Sequence, residues 1–265
     1  MIDRTLTTAV RPRDLVRLGR PGDGGYAVPA DLLRTCDGVI GLGVRDDWTF
    51  EHAAASRMQR CRGVHLYDPT TTMRWLTGRS LRVLPKVLAH TITMDRARLS
   101  EDLHRLVAPA RYLMFPVRST HHYREWAGER VGTPLRTIIE RMKSEGASNI
   151  LLKFDIEGGE YQLLEDPATW APDVAMLVAE FHDLEPDPSA FHSLLRLINQ
   201  FFTPVHIHGN SGAGQLACGF PRVPEITFVR NNLLPSDVRR SAQKYPVPGL
   251  DQGNQRGHDP LAFDA

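Results

Sequence analysis

The residues best suited to chemistry gather in one run, Asn149 to Glu165, reading N-I-L-L-K-F-D-I-E-G-G-E-Y-Q-L-L-E. Asp155, Glu157 and Glu160 stand close together there, with Gly158 and Gly159 between the last two. Grouped carboxylates can accept a proton, orient a histidine, hold a cation or take hydrogen bonds from hydroxyls. The same residues also suit the start of a helix, where acidic side chains are favoured by exposed N–H groups. A second group is Glu180-Phe181-His182-Asp183, and a separate carboxylate, Asp68, follows Gly63-Val-His-Leu-Tyr67. Two glycine runs, Asp23-Gly24-Gly25-Tyr26 and Gly41-Leu42-Gly43, allow backbone to approach a ligand closely.

These residues need a scaffold, and the apolar pattern supplies one. Ile150 to Leu152 reads as a strand buried on both faces, and Tyr161, Leu163 and Leu164 resume helical spacing. Ligands of open parallel sheets bind outside the carboxyl ends of the strands, where Asp155 falls. Val39 to Leu42 reads as an earlier strand and Thr49 to Arg60 as the helix after it. Strand, glycine turn and helix open a nucleotide-binding sheet, although Asp46 replaces the third glycine of G-x-G-x-x-G. Asp68 ends the next strand, where such folds grip ribose hydroxyls; the alternative is a turn begun with Pro69.

Leu81 to Leu88 is expected as a third strand, Ser100 to Val107 as a helix and Tyr112 to Val117 as extended. Thr133 reads as the N-cap of a helix carrying Leu135, Ile138, Ile139 and Met142, with Gly146 past its end. Ala175 to Phe181 reads as a fifth strand, and a helix runs from Asp187-Pro188 to about Phe202. Pro204 to His208 and Glu225 to Val229 form a terminal antiparallel hairpin, and Leu18 and Tyr26 to Val28 a smaller one near the start. The expected fold is α/β: a doubly wound, mostly parallel seven-stranded sheet with an antiparallel terminal hairpin. The expected divisions are a hairpin and lip over 1–37, the main domain over 38–243 and a disordered tail over 244–265.

Composition narrows the setting. The chain has 265 residues, 42% hydrophobic and 24% charged, as an ordinary globular protein has. A net charge of +1 provides no basic field for nucleic acid. No apolar run reaches the roughly eighteen residues of a membrane span. Residues 1–8 lack the apolar core of a signal peptide, and three cysteines without CxxC spacing suit neither a disulfide framework nor a zinc knuckle. A cytoplasmic setting is the simplest expectation. Oligomeric state is unreadable from the sequence.

K-F-D-I-E-G-G-E, Lys153 to Glu160, resembles the K-x-D-x-E-G-x-E signature of FkbM-type S-adenosylmethionine-dependent methyltransferases. G-D-G-G-Y at 22–26, G-L-G-V-R-D-D-W-T-F-E at 41–51, Y-D-P at 67–69, A-E-F-H at 179–182 and H-I-H-G-N at 206–210 fall in matching order. The resemblance implies a Rossmann-like class I methyltransferase fold, S-adenosylmethionine as cofactor, and methyl transfer to a hydroxyl of a small molecule, natural product or glycan. Gly41 and Gly43 would approach the cofactor's amino-acid portion and Asp68 its ribose. Asp155 and Glu157 would lie beside the methyl group or the acceptor. The acidic residue that many methyltransferases carry one or two places before the first glycine is replaced here by Val39-Ile40, so Asp46, Asp47 or the turn at Asp23, Gly24, Gly25 and Tyr26 would meet the ammonium group.

The chemistry then asks for alignment of acceptor oxygen, methyl carbon and sulfur, and for removal of a hydroxyl proton. His182 is the expected general base, with Asp155 and Glu180 orienting it. Alternatively Asp155, Glu180, His182 and His208 hold Mg²⁺ or Mn²⁺, which lowers the hydroxyl pKa. Two rivals share the scaffold: an NAD-dependent oxidoreductase, which Asp68 would serve equally well, and a non-catalytic cofactor-binding module.

Overall fold

The computed structural model describes residues 2–113, 119–128, 131–164, 166–234, 240, 242–255 and 258–265. An antiparallel hairpin, β1 (Leu15–Gly19) and β2 (Gly25–Pro29), leads through α1 (Ala30–Thr35) into the main sheet. That sheet holds β3 (Gly38–Leu42), β4 (Gly63–Tyr67), β5 (Thr120–Tyr123), β6 (Ile150–Phe154), β7 (Val174–Glu180), β8 (Phe202–Gly209) and β9 (Pro224–Arg230). Its order is β5-β4-β3-β6-β7-β9-β8, with β9 antiparallel to both of its neighbours and every other pairing parallel. This is the doubly wound, Rossmann-like α/β sheet expected from the apolar runs.

The remaining helices are α2 (Thr49–Ala55), α3 (Met73–Ile92), α4 (Arg96–Leu106), α5 (Ala108–Leu113), α6 (Leu135–Ser144), α7 (Glu160–Leu163) and α8 (Ser189–Ile198). Alternation along each strand divides the core between two faces. Ile150, Leu152 and Phe154 pack with Ile138 and Met142 of α6 and Leu195 of α8. Leu151 points the other way, to Phe50 and Ala54 of α2 and to Leu18 and Val28 of the hairpin. Ile150, Leu151, Leu152 and Phe154 are wholly buried, and each side chain so buried contributes about 1.5–3 kcal/mol. This rigid strand delivers Asp155 to the sheet's carboxyl end.

Three local expectations are corrected. Leu81 to Leu88 lies inside the 20-residue α3, whose inner face carries Leu76, Ser80 and Val83. Tyr112 and Leu113 close α5, and 114–117 of that expected extended piece lie outside the described residues. Pro134, not Thr133, caps α6, because the Thr133 hydroxyl donates to Glu125 Oε2.

The expected disordered tail also differs. β10 (Lys244–Tyr245) pairs with β11 (Phe263–Asp264), and Tyr245, Phe263 and Ala265 are buried. Asp251 meets His206 at 2.8 Å, and Asn254 meets His208 at 3.0 Å. Polar seats, which leave no periodic apolar signal, hold this segment against β8. Among the described residues no helix is long and apolar enough to cross a membrane.

Candidate active site

The carboxyl ends of β3, β6 and β7 open on a cleft of about 1190 Å³, ample for a nucleoside-sized ligand. Asp23, Gly24 and Tyr26 of the first hairpin also line it, as do Gly253 and Asn254 of the tail. After β6 the chain bends through left-handed conformations at Glu157 (φ 54°) and Gly158 (φ 95°), and after β7 at Asp183 (φ 56°). The two bends interlock: a Cβ on Gly158 would lie 2.7 Å from Asp183 Oδ2. Non-glycine residues held this way cost about 1–3 kcal/mol each, a strain that clusters at functional sites.

His182 is the centre of the arrangement. Its Nε2 lies 3.8 Å from Asp155 Oδ1, 3.6 Å from Glu157 Oε2 and 3.8 Å from Glu180 Oε1. Its Nδ1 faces Glu160 Oε1 at 3.3 Å, and that oxygen also accepts the His182 backbone N–H at 2.6 Å. Glu160 Oε2 accepts the Gly158 N–H at 2.9 Å, so this fully buried carboxylate ties both bends together. Tyr161 completes the support by donating its hydroxyl to the His182 carbonyl.

Burial alone would lower the His182 pKa, but the bond from Glu160 and the charges of Glu160, Asp155 and Glu157 outweigh it and raise it. Burial pushes Glu180 well above the carboxylate range, helped by Asp155 and Glu225 and opposed by Lys153. Lys153 is itself buried, which lowers its pKa, yet Asp155, Glu51 and Glu180 together raise it. Its Nζ lies 4.0 Å from Asp155 Oδ2 and 5.4 Å from the Tyr26 ring centre. Burial, then Glu180 and Asp155, keep the Tyr26 hydroxyl protonated well above its usual range. Four carboxylates thus surround His182, and Lys153 ion-pairs with one of them.

The glycine turns are built for close packing. Gly24 has φ +84°, and a Cβ there would lie 2.7 Å from Asp47 Oδ2. Arg17 threads beneath the turn and donates to the Arg20 and Gly22 carbonyls; its guanidinium fills the space that a Gly25 side chain would need. Gly43 lines the cleft with φ +76°, and a Cβ would collide with the Asp155 carbonyl.

Several expected residues are placed elsewhere. Gly41 lies beneath the cleft and makes room for Glu51, whose Oε1 would be 2.6 Å from an added Cβ. Burial, opposed by Lys153, raises Glu51 to about 7, and its Oε1 has no hydrogen-bond partner. Asp46 lines the cleft but is held by Arg79 Nε at 2.7 Å. Asp68 does not line the cleft: its carboxylate accepts from the N–H groups of Arg45, Thr70 and Thr71 and from the Thr70 hydroxyl. In this conformation it anchors the turn after β3 instead of reaching a ribose.

His208 is likewise separate, lying 3.0 Å from Asn254 Oδ1 and 3.5 Å from Asp251 Oδ1 under the tail. Glu180 Oε1 accepts from Asn210 Nδ2 at 3.1 Å. The donors that converge for a cation are Asp155, Glu157 and His182, each offering one atom within 4.8 Å of the others. Sequence reasoning overlooked Lys153, Glu51 and the buried role of Glu160. Lys153 carried a readable signal, as a charge inside a strand otherwise apolar through Phe154.

No protein-family model matches the chain, and no curated protein matches it.

Proposed function

We propose that this protein is an S-adenosylmethionine-dependent methyltransferase that methylates a hydroxyl of a small molecule, natural product or glycan. The supporting observation is His182, whose Nδ1 side is held by buried Glu160 while Nε2 stands among Asp155, Glu157 and Glu180 at the cleft. A cleft rich in carboxylates suits a cationic ligand, and the sulfonium and ammonium groups of S-adenosylmethionine are cations. Arg20 and Arg45 line the same cleft and suit its carboxylate. Fold alone carries no activity, so the side chains bear the argument.

When bound, the cofactor supplies an already activated methyl group. The chain's own residues position the acceptor and take its proton. His182 Nε2 accepts that proton, and Glu160, fixed by two backbone N–H groups, holds the ring and stabilises the imidazolium. Asp155 and Glu180 set the electrostatic environment of the same nitrogen. His182→Ala is expected to lower turnover about 10²- to 10⁴-fold while affinity for S-adenosylhomocysteine stays unchanged. Mass spectrometry on a panel of hydroxyl acceptors reads the methyl gain, and full turnover by the variant would refute the base role.

The convergence of Asp155, Glu157 and His182 favours a second reading, in which these three side chains would hold a divalent ion whose charge would lower the pKa of the acceptor hydroxyl. Imidazole among the ligands then favours Mn²⁺ over Mg²⁺.

A further inference from the structure

Polar contacts help join the helices of the α3–α4 hairpin: Ser80 Oγ donates to the Arg105 carbonyl at 2.9 Å, and His90 Nδ1 lies 2.8 Å from the buried Asp102. Its outward side carries a second set of apolar residues. Leu81, Leu84, Leu88 and Ile92 recur at helical spacing on the face of α3 away from Leu76 and Val83, and Ile92 is 82% exposed. Met94, 76% exposed, occupies the hairpin tip. Scattered exposed leucines are ordinary, but an exposed stripe of four apolar residues along one helix face, ending at an apolar tip, marks a docking face.

Charge identifies the occupant. From Met73 to Leu113 eight arginines and lysines accompany three carboxylates, giving this segment +5 while the whole chain carries +1, and of the eight only Arg79 and Arg105 line the cleft. Arg74, Arg82, Lys86, Arg96 and Arg98 are exposed. In a symmetric pair of copies this patch would meet itself, placing like charges opposite one another. Apolar side chains at a projecting tip, flanked by cations, instead match a bilayer with anionic headgroups. The apolar stripe enters the headgroup–acyl boundary and the cations meet the phosphates.

We infer that the α3–α4 hairpin docks this protein peripherally on anionic lipid bilayers. The opposite side of the hairpin contributes Arg79, His104 and Arg105 to the cleft, so docking brings the membrane surface and the candidate site onto one structural unit. This inference is independent of methyl transfer, because vesicle binding requires neither cofactor nor acceptor.

The test is flotation of the full chain with vesicles of phosphatidylcholine alone or with about one-third phosphatidylglycerol. Binding is expected only with the anionic vesicles and is expected to weaken as salt rises. Leu88→Glu with Ile92→Glu should reduce partitioning by at least about tenfold, and Arg74→Ala or Arg82→Ala about fivefold each. All four positions are exposed, and circular dichroism checks that the variants remain folded. Equal binding to both vesicle types, no binding to either, or variants that float like the parent would overturn the assignment. So would a parent chain that dimerises in light scattering and becomes monomeric in the double variant, since the stripe would then join two copies.

Discussion

Replacing Glu160 with Gln tests the electrostatic support of His182. The substitution keeps the shape and leaves one oxygen to accept the 2.6 Å bond from the His182 backbone, but removes the charge facing Nδ1 and takes from the Gly158 N–H its acceptor. In the parent protein burial is the largest influence on His182 and lowers its pKa, while the Glu160 bond and charge come next and, with Asp155 and Glu157, tip the balance upward. Losing a charge-assisted bond at this mostly buried ring, whose side chain is 14% exposed, removes about 1.5–3 kcal/mol from the protonated form. That corresponds to roughly a 10- to 100-fold loss of proton affinity.

Stability should change with it. In the parent, raised His182 contributes stability that is fully present below the ordinary histidine value of 6.5 and is lost as pH rises through the folded value. In Glu160→Gln the folded value moves down, so this stabilisation shrinks and is lost at lower pH than in the parent. Nuclear magnetic resonance titration of labelled histidine gives the pKa directly, and urea unfolding across pH 5–8 gives the linked stability. A His182 pKa equal to the parent's in the variant would refute the assigned role of Glu160.

Other perturbations test the remaining supports. Asp251 is lowered because the bonds from His206 and His208 outweigh burial, so it contributes stability above the ordinary carboxylate range that is lost as pH falls through its folded value. Asp251→Asn should cost about 2–4 kcal/mol at neutral pH by urea unfolding and flatten the acid side of the profile. Gly43→Ala should cost at least about 2 kcal/mol by the same measurement, since φ is +76° and the methyl meets the Asp155 carbonyl. Dialysis against a chelator should leave turnover unchanged if His182 alone removes the proton. Loss restored by Mn²⁺ would instead assign the ion to Asp155, Glu157 and His182.

The central strands were legible because they are short, wholly buried apolar runs: Ile150 to Leu152 and Ala175 to Ala179 have few alternatives, whereas the polar, half-exposed β5 gave no such signal. The joining of Asp155 to His182 followed from neighbouring strand ends. Leu81 to Leu88 misled because α3 is apolar on two faces, one against the core and one outward, which blurs helical spacing into a strand-like run. The tail misled because Asp251 and Asn254 are held by histidines on a distant strand, a partnership that composition does not encode. Glu160 read as a helix cap because its second role exists only once the end of β7 folds over it. Asp68 stands at the expected strand end, but backbone N–H groups occupy its oxygens.

Calorimetric titration with S-adenosylmethionine and S-adenosylhomocysteine, beside NAD⁺, tests the cofactor most directly. A methyltransferase site predicts saturable binding of both sulfur compounds at one site, weakened by Asp155→Asn, and no binding of NAD⁺. Binding of NAD⁺ instead, or no heat with any of the three, would contradict it.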